Sequence, residues 1–176
     1  MAELLEFSAL NNLGLLAITE TWLSEEILDS EVTIPRMQLF RTDRRNRKGG
    51  GTAIYISEEI KASLVTDPVL ISVPESTWLR IHCPIRDTLV GVVYRPPAPP
   101  NLYDSALVEA IRKLDHYQHM QIVLMGDFNI PGTSSSAHCS ELLHAEFLAV
   151  GLQELVQGPI RRAPDGSCSA LDLCAI

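Results

Sequence analysis

The sequence predicts a layered α/β sandwich folded as one domain, and three observations lead there. Short apolar runs of strand length recur along the whole chain, several rich in β-branched and aromatic residues and bounded by Gly, Pro or Asn. Segments with helical spacing of apolar residues are interleaved with them, and strands outnumber helices, which is the pattern of sheets covered by helices. No internal repeat, low-complexity linker or composition shift divides the 176 residues, a length that suits a single core.

The elements follow in order. Residues 3–11 (ELLEFSALN) place apolar side chains at helical intervals, with Asn11, Asn12 and Gly14 as stop signals. LGLLAIT (13–19) reads as a buried strand with Glu20 at its end. SEEILDSE, from Ser24, reads as a short helix capped by Ser24 with acids in its first turn. MQLFRTD and TAIYIS alternate polar and apolar residues on either side of RRNRKGGG, so they predict a hairpin with a Gly-rich, basic link. STWLRIHCP (76–84) and TLVGVVYRP (88–96) repeat the pattern around a turn at 85–87. The run Pro96-Pro97-Ala98-Pro99-Pro100 is an extended loop, because proline supplies no ladder donors. A helix is expected at about 103–117, and a strand at 121–125 that Gly126 ends. GTSSSA reads as loop, 139–150 as helix with Gly151 as its cap, and CSALDLCAI as a final strand.

Composition narrows the class. With 46% hydrophobic and 20% charged residues of both signs, the chain is that of a globular protein. No apolar run approaches the ~20 residues needed to span a bilayer, and MAELLEFSAL has none of the features of a signal peptide. The expectation is therefore an intracellular protein, the nucleus included, with no membrane partner. Cys83, Cys139, Cys168 and Cys174 have no paired spacing for zinc and are expected to be reduced. The net charge of −8 argues against bulk electrostatic binding of nucleic acid. The distribution differs from the total: Arg36, Arg41, Arg44, Arg45, Arg47 and Lys48 crowd into residues 36–48, opposed only by Asp43. Such a stretch is either a phosphate-gripping patch or a solvated loop.

Three acids share one local context. Glu20 follows LLAIT, Asp127 follows IVLMG, and Asp172 lies within SALDLCAI, each at or in a buried apolar strand. Carboxylates are costly to bury without a partner, and a divalent cation is one such partner. Mg²⁺ takes hard oxygen ligands, often one or two carboxylates together with substrate phosphates, and it polarises phosphoryl oxygens in phosphodiester hydrolysis. Asn129, two residues after Asp127, could orient a water or a phosphate oxygen without adding charge. Tyr94, before the proline-rich loop, could bring a phenol to the same rim. Each residue also has a plainer reading: an Asx turn for Asp127 and Asn129, a helix N-terminal acid for Glu20, strand-end packing for Tyr94, and a turn acid for Asp172.

ITETWL around Glu20, GGGTAIYI, VVYRPP around Tyr94, MGDFNIP around Asp127 and Asn129, and SALDLCAI around Ser169 and Asp172 resemble, in order and approximate spacing, the motifs of the exonuclease-endonuclease-phosphatase family. The likeness spans nearly the whole chain and is strongest to the apurinic-like endonuclease domains of non-LTR retrotransposons. It implies a DNase I-like four-layer sandwich of two mixed β-sheets between helices, Mg²⁺ or Mn²⁺ dependence, and nicking of DNA to leave a 3′-hydroxyl that primes reverse transcription. It also implies roles: Glu20 as metal ligand, Tyr94 as the phenol supporting the phosphate, Asp127 as the group that activates water, Asn129 as its orienting partner, and Asp172 as the acid that holds a catalytic histidine. Arg44, Arg45, Arg47 and Lys48 are expected to meet DNA on a hairpin beside the site.

The family pattern has a first strand ending in Asn and a final Ser-Asp-His block. This sequence shows neither, and His82, His116, His119, His138 and His144 all lie in other contexts. The expectation is a domain incomplete at both ends, without its first and last strands, and an endonuclease impaired by their loss. The alternative is an inactive remnant that binds nucleic acid or protein through residues 36–48. A phosphatase acting on a small phosphoester is a third reading, which the basic hairpin makes weaker.

Overall fold

MQLFRT and TAIYIS, on either side of the Gly-rich link, form the expected hairpin, with the second strand buried on both faces rather than alternating. In the computed structural model, β2 (Met37–Thr42) and β3 (Thr52–Ser57) pair antiparallel, and β1 (Leu15–Thr19) adds to the other side of β3. The structure describes Glu6, residues 13–45, 48–99, 102–129 and 137–153, Leu155, and three short strands at 161–162, 168–169 and 172–175. Of the helix expected over 3–11, only Glu6 is described, in helical conformation.

A second, five-stranded sheet holds β4 (Ala62–Leu64), β5 (Ser76–Ile81), β6 (Thr88–Tyr94), β7 (Gln121–Asp127) and, beyond β8 (Arg161–Arg162) and β9 (Cys168–Ser169), which pair with each other, β10 (Asp172–Ala175). Its spatial order is β10-β7-β6-β5-β4. Among the described residues, only β6 and β7 run parallel. Parallel neighbours need a crossover, and α1 (Tyr103–Lys113), extended by a 3-10 turn at Leu114–Tyr117, provides it. The sequence did not single out β4, which is three residues long.

The two sheets pack face to face, and the helices cover the far side of the larger one. Along β7 the side chains explain this: Ile122 and Leu124 join α1 residues Leu107 and Ile111 and, from α2 (Ala137–Ala149), Leu143 and Phe147 in the helical layer. Val123 and Met125 point the other way, against Ile54, Leu79, Val90 and Val92 between the sheets. The unbroken apolar run of this strand thus reflects burial on both faces. Each fully buried Leu, Ile or Phe in these layers contributes about 1.5–3 kcal/mol relative to exposure. The outer face of the small sheet carries a third cluster, with Ala53 and Tyr55 packed under Ile34.

Local expectations fared unevenly. α2 ends as its sequence suggests, with Gly151 at φ 79°, its N–H on Leu148 O (3.1 Å) and the Leu152 N–H on Phe147 O (2.9 Å), a Schellman closure. The helix expected at 24–31 is instead a turn, closed by Ile27 N–H to Ser24 O at 3.0 Å, followed by a 3-10 turn at Asp29–Glu31. Leu28 at 63% exposure gives that segment no apolar face to bury, and without one a short helix is marginal. Gly126 does not end β7. The strand continues to Asp127, and Gly126 adopts φ 146° in the middle of the pairing with β6.

No helix among the described residues is long and apolar enough to cross a bilayer. Gly126 is the tightest point of the larger sheet, because a Cβ there would lie 1.8 Å from the Val93 carbonyl oxygen. Gly126→Ala is expected to lower stability by about 2 kcal/mol or more, seen as a lower urea midpoint at unchanged slope; a midpoint within error of the parent contradicts the close approach.

Candidate active site

The parallel register of β6 and β7 sets Tyr94 opposite Asp127, and the antiparallel register of β7 and β10 sets Asp127 opposite Asp172. Three sequence-predicted residues therefore form one row across the end of the larger sheet. Asn129 follows two residues later. Its backbone N–H donates to Asp127 Oδ1 at 3.0 Å, and its φ of 44° closes an Asx turn. Its side-chain Nδ2 donates to Arg95 O at 2.8 Å, so the amide also ties β7 to the residue after Tyr94.

Glu20 reaches the row from the small sheet. It stands just past β1 at φ 55°, and Oε2 of its carboxylate accepts hydrogen bonds from Trp22 Nε1 (2.7 Å) and from the Gly50 backbone N–H (3.0 Å). The Tyr94 hydroxyl lies beside the same carboxylate. Burial by itself would raise the Glu20 carboxyl, but the bonds from Tyr94, Gly50 and Trp22 and the charge of Arg44 together hold it below its usual range. Tyr94 is pushed up to about 12, first by burial and then by Glu20, with Arg44 opposing. At neutral pH the pair is thus a fixed carboxylate and a neutral phenol.

Arg44 makes the strongest contact in this region. Its Nε and Nη2 grip Glu75 Oε1 and Oε2 at 2.6 and 2.9 Å, with side chains 11% and 8% exposed, and its guanidinium lies 5.5 Å from the centroid of the Tyr94 ring. Glu75 Oε2 also accepts the Gly51 N–H at 3.1 Å. A Cβ at Gly50 would fall 2.2 Å from Glu75 Oε2 and 2.4 Å from the Arg44 guanidinium, so glycine is the residue that admits this pair.

The basic stretch accordingly divides. Arg44 lies inside the site rather than on a protruding loop. Arg41 is held by Asp29 at 2.9 Å, and Arg36 by Glu59. Arg47 lies outside the described residues. Arg45 and Lys48 are exposed, and among the described residues neither takes part in an ion pair. They line a cleft of about 610 Å³ with Arg44 and Gly49 on one side and the loop after Glu20, which contributes Trp22, Glu25 and Glu26, on the other.

Three further residues shape the site without having been singled out. Arg95 is buried, grips Asp104 at 2.7 and 3.0 Å, and donates to the Phe128 and Asn129 carbonyls. Glu75 and Trp22 complete the surroundings of Arg44 and Glu20. Arg95 and Trp22 sit inside the VVYRPP and ETWL blocks, so adjacency was a usable signal for them; Glu75 follows a proline in a turn and carries none. His82 bonds Ser63 (3.1 Å) at the far end of β5, and His116 and His119 precede β7 at that same end of the sheet.

The matched family model describes the endonuclease/exonuclease/phosphatase family and spans residues 2–163, so the chain belongs to that family of phosphoester hydrolases, which in general use divalent metal ions. Among solved structures it is similar to the endonuclease domain of TRAS1, a telomere-specific non-LTR retrotransposon, at 14% identity and TM-score 0.72, covering 99% of this chain and 77% of that one. It is similar to the human Nocturnin catalytic domain at 12% identity and TM-score 0.65, with 99% and 72% covered. It is also similar to the 3′ phosphatase NExo from Neisseria, whose structure holds a product DNA hairpin, at 16% identity and TM-score 0.65, with 99% and 80% covered. These likenesses establish the DNase I-like fold of two sheets faced by helices. Comparison with curated protein sequences finds no match.

Among the described residues no three His, Cys, Asp or Glu converge as a cage for a metal ion. Glu20 nevertheless fits a cation of the water-rich kind: it is an exposed, ionised carboxylate, oriented by its hydrogen bonds. Mg²⁺ is commonly held by one or two such groups with waters and phosphate oxygens completing the shell.

Removing one member of a buried pair strands the other. Glu75→Ala or Arg44→Ala is therefore expected to cost about 3 kcal/mol, whereas Arg45→Ala should stay within about 0.5 kcal/mol of the parent. Urea unfolding of the three variants checks this, and equal losses would show that Arg44 is no more embedded than its neighbour.

Proposed function

We propose that this chain is the endonuclease domain of a non-LTR retrotransposon-type protein, hydrolysing DNA phosphodiesters with Mg²⁺ or Mn²⁺ held at Glu20. The observation that carries the reading is the row Tyr94, Asp127, Asp172, joined at Tyr94 by Glu20 from the other sheet. Backbone strain supports it. Of the six non-glycine residues with positive φ among the described residues, Glu20, Trp22, Glu75 and Asn129 belong to this region. Such conformations cost about 1–3 kcal/mol each and persist where the surroundings over-determine them, often at functional sites.

Glu20 would hold the cation, which would supply polarisation of a phosphoryl oxygen and neutralisation of charge on the leaving oxygen. The chain's own groups do the rest. Asp127 accepts the proton of the attacking water at its carboxylate. Asn129, anchored through Nδ2, turns its Oδ1 toward that water. Tyr94, neutral at physiological pH, turns its one hydroxyl proton from Glu20 to a non-bridging oxygen of the phosphate, a role that Arg44 steadies by lying over the ring. Asp172, opposite Asp127, is the acid that would orient a histidine. Arg45 and Lys48 meet the DNA backbone; Arg47, next to them in sequence, is assigned the same role.

Relaxation of supercoiled plasmid in Mg²⁺ or Mn²⁺ tests the reading. Nicking is expected with residues 1–176 and should fall by about a hundredfold or more in Asp127→Ala, with Glu20→Gln showing a loss that added cation partly restores. Nicking that survives both variants rules the assignment out. DNA that is bound but never cut would point instead to a binding remnant acting through the basic stretch.

A further inference from the structure

We propose that Trp22, Arg45 and Lys48 form a nucleotide subsite in which the indole stacks on an unpaired base flanking the scissile phosphate, while the two cations hold the adjoining backbone. This rests on the DNA-hydrolase reading and adds to it the part of the substrate that is recognised.

Trp22 is 65% exposed, unusual for so large an aromatic side chain. Its conformation is nevertheless fixed. The backbone sits at φ 56°, the Trp22 N–H bonds Gly50 O at 2.9 Å, and the indole Nε1 is held by Glu20 at 2.7 Å. One side of the ring rests against the turn at Gly49, where a Cβ would lie 3.7 Å away. A rigid, exposed ring held at one edge suits stacking, since little rotamer freedom remains to be lost on binding.

The ring opens onto the cleft of about 610 Å³, whose volume suits a nucleotide. Arg45 and Lys48 stand on one side of it and Glu25, Glu26 and Asp43 share its lining. The acids repel phosphate, so a strand is guided along the Arg45–Lys48 side with its base turned to the indole. Sequence-tolerant recognition of single strands has this form: cations along the backbone and an aromatic face under the base. Because Trp22 bonds Glu20 directly, the stacked base lies beside the phosphate to be cut.

The chain's two tryptophans make the test direct, since Trp78 is 2% exposed and shielded from a solution quencher. A short single-stranded oligodeoxynucleotide, added in EDTA so that it stays intact, is expected to change the Trp22 emission and protect it from acrylamide. An oligonucleotide of the same length built of abasic residues should do neither. Trp22→Ala should loosen binding of the normal oligonucleotide by roughly tenfold or more and leave the abasic one unchanged. Trp22→Phe, which keeps a ring and loses the bond to Glu20, should bind nearly as the parent does. Arg45→Ala with Lys48→Ala should weaken both oligonucleotides and flatten the salt dependence by about 0.7 for each phosphate no longer neutralised. The proposal is overturned if fluorescence polarisation shows the oligonucleotide bound while Trp22 stays fully open to acrylamide, if Trp22→Ala weakens both oligonucleotides equally, or if neither binds. Plasmid nicking reports on the hydrolase reading separately: cleavage without stacking removes only the subsite, and stacking without cleavage removes only the hydrolase.

Discussion

The buried contact between Arg44 and Glu75 holds the two sheets together at the end where the site lies. Arg44 leaves β2 on the small sheet, and Glu75 immediately precedes β5 on the large one. The glycine turn between β2 and β3 is drawn into the same contact, with the Gly51 N–H on Glu75 and the Gly50 N–H on Glu20. One turn therefore sets the position of the acid of each sheet. A buried pair is weak evidence for net stability, because desolvation opposes the Coulomb attraction. Its use here is positional: the guanidinium that satisfies Glu75 also lies over Tyr94, whose hydroxyl stands beside Glu20.

A second polar seam reinforces the first. Thr42 of β2 and Thr52 of β3 meet Thr77 of β5, with Oγ1 atoms 3.0 and 2.8 Å apart, and Thr42 also donates to Ser76 O at 2.9 Å. Below this seam the interface between the sheets is apolar. Hydroxyls satisfied by one another avoid the cost of unpaired buried groups and fix the register in which the sheets stack, a specificity that non-directional apolar contact cannot provide. The strained residues gather where these polar constraints converge, which is where a rigid scaffold can hold them.

Charge placement gives the basic segment a different meaning from its count. Six cations in thirteen residues suggest a diffuse electrostatic grip, yet Arg36, Arg41 and Arg44 are already occupied by Glu59, Asp29 and Glu75. Among the described residues, Arg45 and Lys48 remain to face an incoming anion. On the nuclease reading proposed above, a chain with a net charge of −8 would approach nucleic acid through a narrow strip and not through a field.

Much of the fold was legible in the sequence because its causes are local. The strand-length runs MQLFRT and TAIYIS, the two-faced apolar run before Asp127, and Gly151 after α2 each specify an element through nearest neighbours. The gathering of ETWL, VVYRPP and GDFN at one site was legible only through their likeness to a family. Glu75 was out of reach, since its partner lies 31 residues away and nothing in a turn between a proline and a serine announces a buried carboxylate. The helix expected at 24–31 failed for a related reason, as capping residues and acids suggest a helix but only a face to bury sustains one. By itself the sequence determined the longer strands, their order along the chain and the residue types available for phosphate chemistry. The tertiary structure alone decided which of those residues meet, because the parallel register of β6 and β7 and the stacking of two sheets are long-range choices that no window of sequence contains.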